Sequence, residues 1–285
     1  MRDPTIDQFL PSLNAQSDTT SNGVAWVRHG TGPGFLLFHG GAGSWNHWAR
    51  NIEALGRHFT VAAIDGPGYG QSSPIDREIG AEEYFAAVCS AVDEIVSTFE
   101  DAPVHVAGFS FGGLVASAAT AYLGGRCEAL SLIGAAGFQK PERRQLSLKS
   151  KRALTEELRR EPTDDEMRAL HTSNLGQLMI WDRTRIDGQA IAMQAANVAR
   201  TRFDSRRLSW SGRTPGLIAE ATADIQVIYG DHDMAAHPEI ELRIKQCLEA
   251  RPDAEVEVVP DCGHWAMYEA SEIVNAMLVD FHTDA

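Results

Sequence analysis

Apolar and β-branched residues gather along the chain into short runs at 24–28, 35–39, 60–65, 104–109, 130–135, 225–230 and 255–260. Runs of this length, apolar nearly throughout, predict strands buried on both faces. Between them the apolar residues return at helical spacing. Over 81–98 these are Phe85, Val88, Val92, Ile95 and Val96, and Glu82 and Glu83 make the first turn acidic. The stretches 111–123, 238–248 and 271–281 predict helices in the same way. Strands alternating with helices give an α/β fold with a mostly parallel sheet covered on both sides. No internal repeat or low-complexity tract interrupts the pattern.

One interval breaks the rhythm. About 90 residues separate the run ending at Ala135 from the one starting at Ile225, where such units usually have connections of roughly 2–6 residues. The interval is rich in helix formers over 148–160, 163–181 and 188–203. Thr163 stands as an N-cap with Glu166 at the capping-box position. The expected organisation is a core in two parts, 1–137 and 216–285, with a helical cap at 138–215.

Composition changes this picture in one respect. The 285 residues are 44% hydrophobic and 22% charged, as in ordinary soluble proteins, and carry a net charge of −14. Residues 138–215 nevertheless hold 16 Lys and Arg against 10 Asp and Glu. The middle of an acidic protein is therefore basic. Overall acidity argues against nucleic acid or an anionic membrane surface as partner, because phosphate binding needs clustered positive charge. It leaves room for a small-molecule substrate, anionic ones included, and leaves a homodimer open. Four scattered cysteines without a C-x-x-C pair suggest neither a disulfide framework nor a zinc ribbon. The polar stretch 1–22 lacks the apolar centre of a signal peptide, and no run reaches the roughly 20 apolar residues of a membrane span. A cytoplasmic location is the expectation.

Four loops at predicted strand ends carry chemistry. Gly108-Phe109-Ser110-Phe111-Gly112 lies between a strand and a helix, the setting of a nucleophile elbow that displays the Ser110 hydroxyl over a helix N-terminus. His39-Gly40-Gly41-Ala42-Gly43 can turn backbone N–H groups toward a developing oxyanion, with Gly41 and Phe111 as the expected donors. A phosphate loop would need a Gly-Lys-Ser/Thr ending or a G-x-G-x-x-G spacing, and neither is present. Tyr229-Gly230-Asp231-His232-Asp233 supplies a carboxylate and Cys262-Gly263-His264-Trp265 an imidazole at the same sheet edge. A serine hydroxyl needs a base, and the base needs a carboxylate to hold its tautomer. Each piece taken singly reads as structural before catalytic, since a lone Asp after a strand is usually a turn or cap.

Together these elements resemble the α/β-hydrolase superfamily over nearly the full chain. The H-G-G loop, the G-x-S-x-G elbow, the acid after the seventh strand and the terminal G-H motif all have counterparts. So does Asp65-Gly66-Pro67-Gly68-Tyr69-Gly70-Gln71-Ser72, similar to a family turn after strand four. The resemblance implies an eight-stranded sheet, a helical cap between strands six and seven, and a cofactor-free triad Ser110, Asp233 and His264. The acid maps to Asp233, with Asp231 as the fallback. A serine nucleophile disfavours the aspartate-dependent epoxide hydrolases and haloalkane dehalogenases. Cys262-Gly263-His264-Trp265 with Glu269 is similar to C–C bond hydrolases of aromatic ring-fission products, whose substrates are carboxylates. Phe109 stands where those enzymes usually carry Asn, so esterases, lactonases and amide hydrolases stay open. A non-hydrolytic oxygenase or lyase and a ligand receptor are the readings from other classes.

For substrate contacts the expected residues are Trp45 and Trp265, beside the catalytic loops, and Arg202, a cap arginine able to hold a carboxylate. Trp48 fits core packing as well as a pocket. Ten histidines invite a metal reading, with His232 and His237 flanking Asp233 and His39 and His47 straddling the oxyanion loop. No H-E-x-x-H spacing supports it, and no metal is expected.

Overall fold

The computed structural model describes residues 15–99, 103–139 and 146–285. The first fourteen residues of the polar N-terminal stretch, and Lys140, Arg143 and Arg144 of the basic interval, lie outside the described residues. Eight strands form one sheet: β1 (Gln16–Thr19), β2 (Ala25–His29), β3 (Gly34–Phe38), β4 (Thr60–Ile64), β5 (Val104–Phe109), β6 (Cys127–Ile133), β7 (Asp224–Gly230) and β8 (Glu255–Val259). Their order is β1-β2-β4-β3-β5-β6-β7-β8. β2 runs antiparallel to both neighbours, and every other pair is parallel. The apolar runs mark β2 to β8. The strand they miss, β1, has four exposed polar residues and pairs with β2 along the edge of the sheet. A strand with neither face buried leaves no apolar signal.

Alternate residues of the central strands face opposite ways. Leu36, Phe38, Val106 and Leu132 join the core under α2 (Ala81–Val96) and α3 (Phe111–Leu123), with Ile225, Val227 and Cys247 extending it. Phe35, Leu37, Ala107 and Ile133 join the opposite core, which Ile52, Leu55, Val274 and Leu278 complete. The parallel register aligns the strand ends: Phe38 lies opposite Gly108, Phe109 opposite Ile133, Ile133 opposite Ile228 and Gly230 opposite Val259. The loops that follow β3, β5, β6, β7 and β8 therefore emerge along one edge.

Between β6 and β7 lie α4 (Lys151–Leu158), α5 (Asp164–Leu178), α6 (Gly188–Arg200), α7 (Arg206–Ser209) and α8 (Thr214–Glu220), numbered after the short α1 (Ile52–Leu55). Thr163 caps α5, and its Glu166 closes the capping box back onto the Thr163 N–H at 2.8 Å. α8 runs across residue 215, where the sequence places the return to the core, and packs on α3. The chain closes with α9 (Ile240–Ala250), α10 (Ala266–Glu269) and α11 (Ser271–Asp284).

The interval is fastened to the sheet by buried polar contacts. The Glu269 carboxylate accepts from the N–H groups of Trp181 (3.0 Å), Asp182 (2.7 Å) and Gly263 (2.8 Å), and its carbonyl accepts from Arg185 (2.7 Å). The Trp265 N–H reaches Met179 O at 2.7 Å. Asn197 of α6 accepts from Ser44 Oγ and donates to Asn46 Oδ1, both at 2.8 Å. All four cysteines are buried and free. Among the described residues no helix is long and apolar enough to cross a membrane.

A second polar network lies under the sheet. Ser131 Oγ contacts Gln226 Oε1 (2.7 Å) and His282 Nε2 (2.8 Å), and His282 Nδ1 meets His105 Nδ1 at 3.2 Å. Burial pushes His105 down from 6.5 to about 4 and His282 well below 6.5, with His105 adding repulsion to the latter.

Two predictions follow from these contacts. In Glu269→Gln one side-chain oxygen becomes an NH₂ group that faces a backbone N–H, whichever way the amide is placed. A loss of about 1–3 kcal/mol in urea denaturation is expected, and unchanged stability would remove Glu269 as the fastening. Because the histidines favour the neutral form, their stabilising contribution is complete above about pH 6.5 and is lost as the pH falls toward 4. Thermal melts should decline across that window. His105→Phe, set among Phe35 and Phe59, should flatten the decline, and an equal slope in both proteins contradicts the assignment.

Candidate active site

The site is built on the turn from β5 into α3. Ser110 takes φ 54° and ψ −118°, a region that side chains rarely adopt. Neighbouring backbone holds it there: its N–H donates to Ile133 O (2.9 Å), and its carbonyl accepts from Gly113 (2.9 Å) and Ala136 (2.8 Å). The turn is so tight that a Cβ on Gly108 would stand 2.2 Å from Gly112 O, and one on Gly112 would stand 2.3 Å from Phe38 O. Glycine at both positions is what allows strand and helix to close. The first N–H groups of α3, beginning with that of Phe111, have no acceptor inside their own helix.

His264 follows β8 and Asp233 follows β7. His264 Nδ1 lies 2.8 Å from Asp233 Oδ2, and both residues are buried. Asp233 Oδ1 accepts from Ala235 (2.8 Å) and Ala236 (3.0 Å), which fixes the carboxylate. With Nδ1–H donated to Asp233, Nε2 is left as the basic nitrogen. Asp231, the fallback, instead accepts from the Cys262 N–H at 3.1 Å and braces the His264 loop from its exposed side.

The 39–43 glycine loop rests on two imidazoles. His39 Nδ1–H donates to Gly40 O (2.7 Å) and its Nε2 accepts from Gly66 (2.9 Å). His47 Nδ1 accepts from Gly40 N–H at 3.3 Å. Burial lowers His39 to about 4 and His47 well below 6.5, with repulsion from His39 and His264 adding to the latter. They act as neutral struts under the loop. A Cβ on Gly41 would meet Ser205 Oγ at 2.8 Å.

A cavity of about 940 Å³ opens over these elements, and Gly40, Gly41, Ser110, Phe111, Arg202, Arg243 and His264 all line it. Ser110, His264, Gly41 and Phe111 thus border one cavity, and Asp233 is bonded to His264 outside it. The two tryptophans expected there are elsewhere. Trp45 is buried in the core, its N–H donating to Asp65 Oδ1 at 2.6 Å. Trp265 donates its indole N–H to His47 O (3.0 Å) and stacks on Tyr268 with centroids 4.2 Å apart. Trp48 is likewise core. Adjacency in sequence to a catalytic loop does not set side-chain direction, and the short helical turns after Ser44 and His264 aim both rings inward.

Arg202 does line the cavity, but its guanidinium donates to the carbonyls of Tyr69, Gly70 and Ser72. It clamps the 65–72 turn, where Asp65 also accepts from Gln71 (2.7 Å) and Ser72 Oγ donates to Asp65 O (2.6 Å). Asp231, His232 and Asp261 could offer ligand atoms within 4.8 Å of one another, at the surface and off the cavity. His232 there stacks on Trp181 at 3.8 Å.

Sequence reasoning missed Arg243. It sits on α9 between Ile240 and Cys247, the partly buried and buried positions of that helix, and is itself 5% exposed. A charged residue in register with an apolar helical face was the readable signal.

A family model described as alpha/beta hydrolase fold matches residues 33–271. The acetyltransferase component of an acetoin cleaving system from Pseudomonas putida is 29% identical over 260 residues, 88% of this chain. The chain spans 63% of that relative's length. A 2-hydroxy-6-oxononadienedioate/2-hydroxy-6-oxononatrienedioate hydrolase from Dechloromonas aromatica is 26% identical over 90% of this chain and 85% of its own. Naproxen esterase from Bacillus subtilis superposes with a TM-score of 0.74 at 18% identity, covering 98% of this chain and 95% of that one, a likeness of fold. With the sheet order, the serine turn and a match across most of its length, this chain belongs to the alpha/beta hydrolase fold family.

Proposed function

We propose that the protein is a cofactor-free serine hydrolase that cleaves an ester, lactone or related carbonyl bond of a small, carboxylate-bearing substrate. The coarser reading, a hydrolytic enzyme of the α/β fold, rests on the family match and the hydrolases among its relatives. One observation carries the finer reading: Ser110, forced outward on a positive-φ turn, shares a cavity with a His264 held by buried Asp233.

In this mechanism Ser110 Oγ attacks the carbonyl carbon while His264 Nε2 takes its proton. The imidazolium is stabilised by Asp233, whose other oxygen is fixed by two backbone N–H groups. The N–H groups of Gly41 and Phe111 receive the oxyanion, and the α3 N-terminus adds favourable field. His264 returns the proton to the leaving group. Water, deprotonated by the same imidazole, then releases the acyl group from Ser110. The helices over the cavity keep bulk water from the reacting carbonyl and select the substrate.

A second reading, C–C bond hydrolysis of a vinylogous diketo acid, is favoured by the relative from Dechloromonas aromatica, whose name denotes such a reaction. It uses the same imidazole and oxyanion donors. The two readings part on substrate and not on machinery.

A fluorophosphonate should label Ser110 in the wild type and leave Ser110→Ala unlabelled. Asp233→Asn should lower kcat by roughly 10⁴-fold, while Asp231→Asn stays within about threefold of wild type, since Asn keeps the acceptor for Cys262. A panel of aryl esters, lactones and 2-hydroxy-6-oxo-dienoic acids separates the two hydrolytic readings. Absence of label overturns the nucleophile, and label without turnover of any panel member points to a ligand receptor.

A further inference from the structure

Among the described residues the cavity wall carries four arginines, Arg77, Arg202, Arg206 and Arg243, against one carboxylate, Asp204. Two of the four are engaged elsewhere and a third is exposed. Arg202 clamps the 65–72 turn, Arg206 holds Asp204 through two of its nitrogens, and Arg77 is exposed at the rim. Arg243 is different. It is 5% exposed, its Nη1 and Nη2 donate to two backbone carbonyls, Ala135 O and Ala235 O, each at a long 3.3 Å, and its side-chain partner is the neutral Tyr229 phenol. Its Nε is buried with no hydrogen-bond partner. Among the described residues no carboxylate forms an ion pair with it, and the Phe138 ring lies at 5.4 Å. A buried cation is normally paired, because desolvation of an uncompensated charge is strongly unfavourable.

We propose that Arg243 is the anion-recognition residue of this site, and that a carboxylate of the substrate supplies its missing partner. The inference rests on the hydrolase reading and names the residue that would set its substrate class. Position supports it. Arg243 touches Ala135, whose neighbour Ala136 holds the Ser110 carbonyl, and Ala235, whose N–H holds Asp233. The guanidinium therefore lies within one residue of both the nucleophile turn and the acid loop. A carboxylate bound there sits close to the scissile carbonyl, as in a short dicarboxylic monoester or an oxo-acid. The planar fork of guanidinium donors suits a carboxylate bidentately.

A purely structural role, joining two loops through their carbonyls, predicts a different outcome from the same variants. The kcat/KM ratio of mono-p-nitrophenyl glutarate to p-nitrophenyl butyrate should fall by at least about tenfold in Arg243→Met. In Arg243→Lys, which keeps the charge without the fork, the fall should be smaller. An unchanged ratio, with both substrates reduced together, overturns the proposal in favour of the structural role. Should Arg243→Met fail to fold, a protein that keeps Arg243 supplies the test: glutarate must bind more tightly than glutaramide to Ser110→Ala, read by calorimetry. Equal affinities overturn the proposal. This binding arm needs no turnover, so a missing phosphonate label on Ser110 defeats the hydrolase reading without touching it.

Discussion

Everything at the cavity edge of the sheet depends on one backbone constraint, the positive-φ conformation of Ser110. A residue with a side chain does not rest there unless its surroundings over-determine it. Here three backbone hydrogen bonds from β6, α3 and the segment after β6 fix its amide and carbonyl. The absence of a Cβ at Gly108 and Gly112 lets α3 approach β5 and the end of β3. The hydroxyl is thereby placed by the packing of three elements. The same closure brings the N-terminus of α3 beside the glycine loop after β3, so the Ser110 hydroxyl and the two sets of backbone N–H groups are placed by a single act of folding.

The second organising feature is that the loop bearing His264 is shared between core and insertion. Gly263 and Trp181 donate to the same Glu269 oxygen, and the Trp265 N–H reaches Met179. The imidazole is thus flanked on both sides in the chain by contacts to the segment 179–182. Glu269 touches no reacting atom. It is a positioning residue, and its carboxylate satisfies backbone N–H groups that a buried connection would otherwise leave without acceptors.

Most of the framework was legible in the sequence, since strands buried on both faces and amphipathic helices write their burial into the apolar pattern. Ser110, Asp233 and His264 stood out because a hydroxyl, a carboxylate and an imidazole at successive strand ends have few structural alternatives in common, and the fold lines one cavity with Ser110 and His264 and hydrogen-bonds Asp233 to His264. Trp45 and Trp265 were misread for a physical reason: sequence position gives the loop, while the local helical turn gives the direction. Arg202 was placed at the cavity correctly, but its partners are carbonyls of a turn 130 residues earlier, which no local pattern encodes. β1 was invisible because its hydrogen bonds, and not its side chains, attach it to the sheet.

The neutral pair His39 and His47 has a consequence for how the site would respond to its surroundings. Both imidazoles stay uncharged down to well below neutrality, so the loop that would receive the oxyanion stands on dipoles alone. Its electrostatic potential is then insensitive to acidity over the range in which an ordinary histidine titrates. A nearby imidazolium would have strengthened the oxyanion site at low pH while opposing the protonation of His264. The fold thus keeps the supports of this loop electrically silent, and their hold on the Gly40 backbone does not change as an ordinary histidine would titrate.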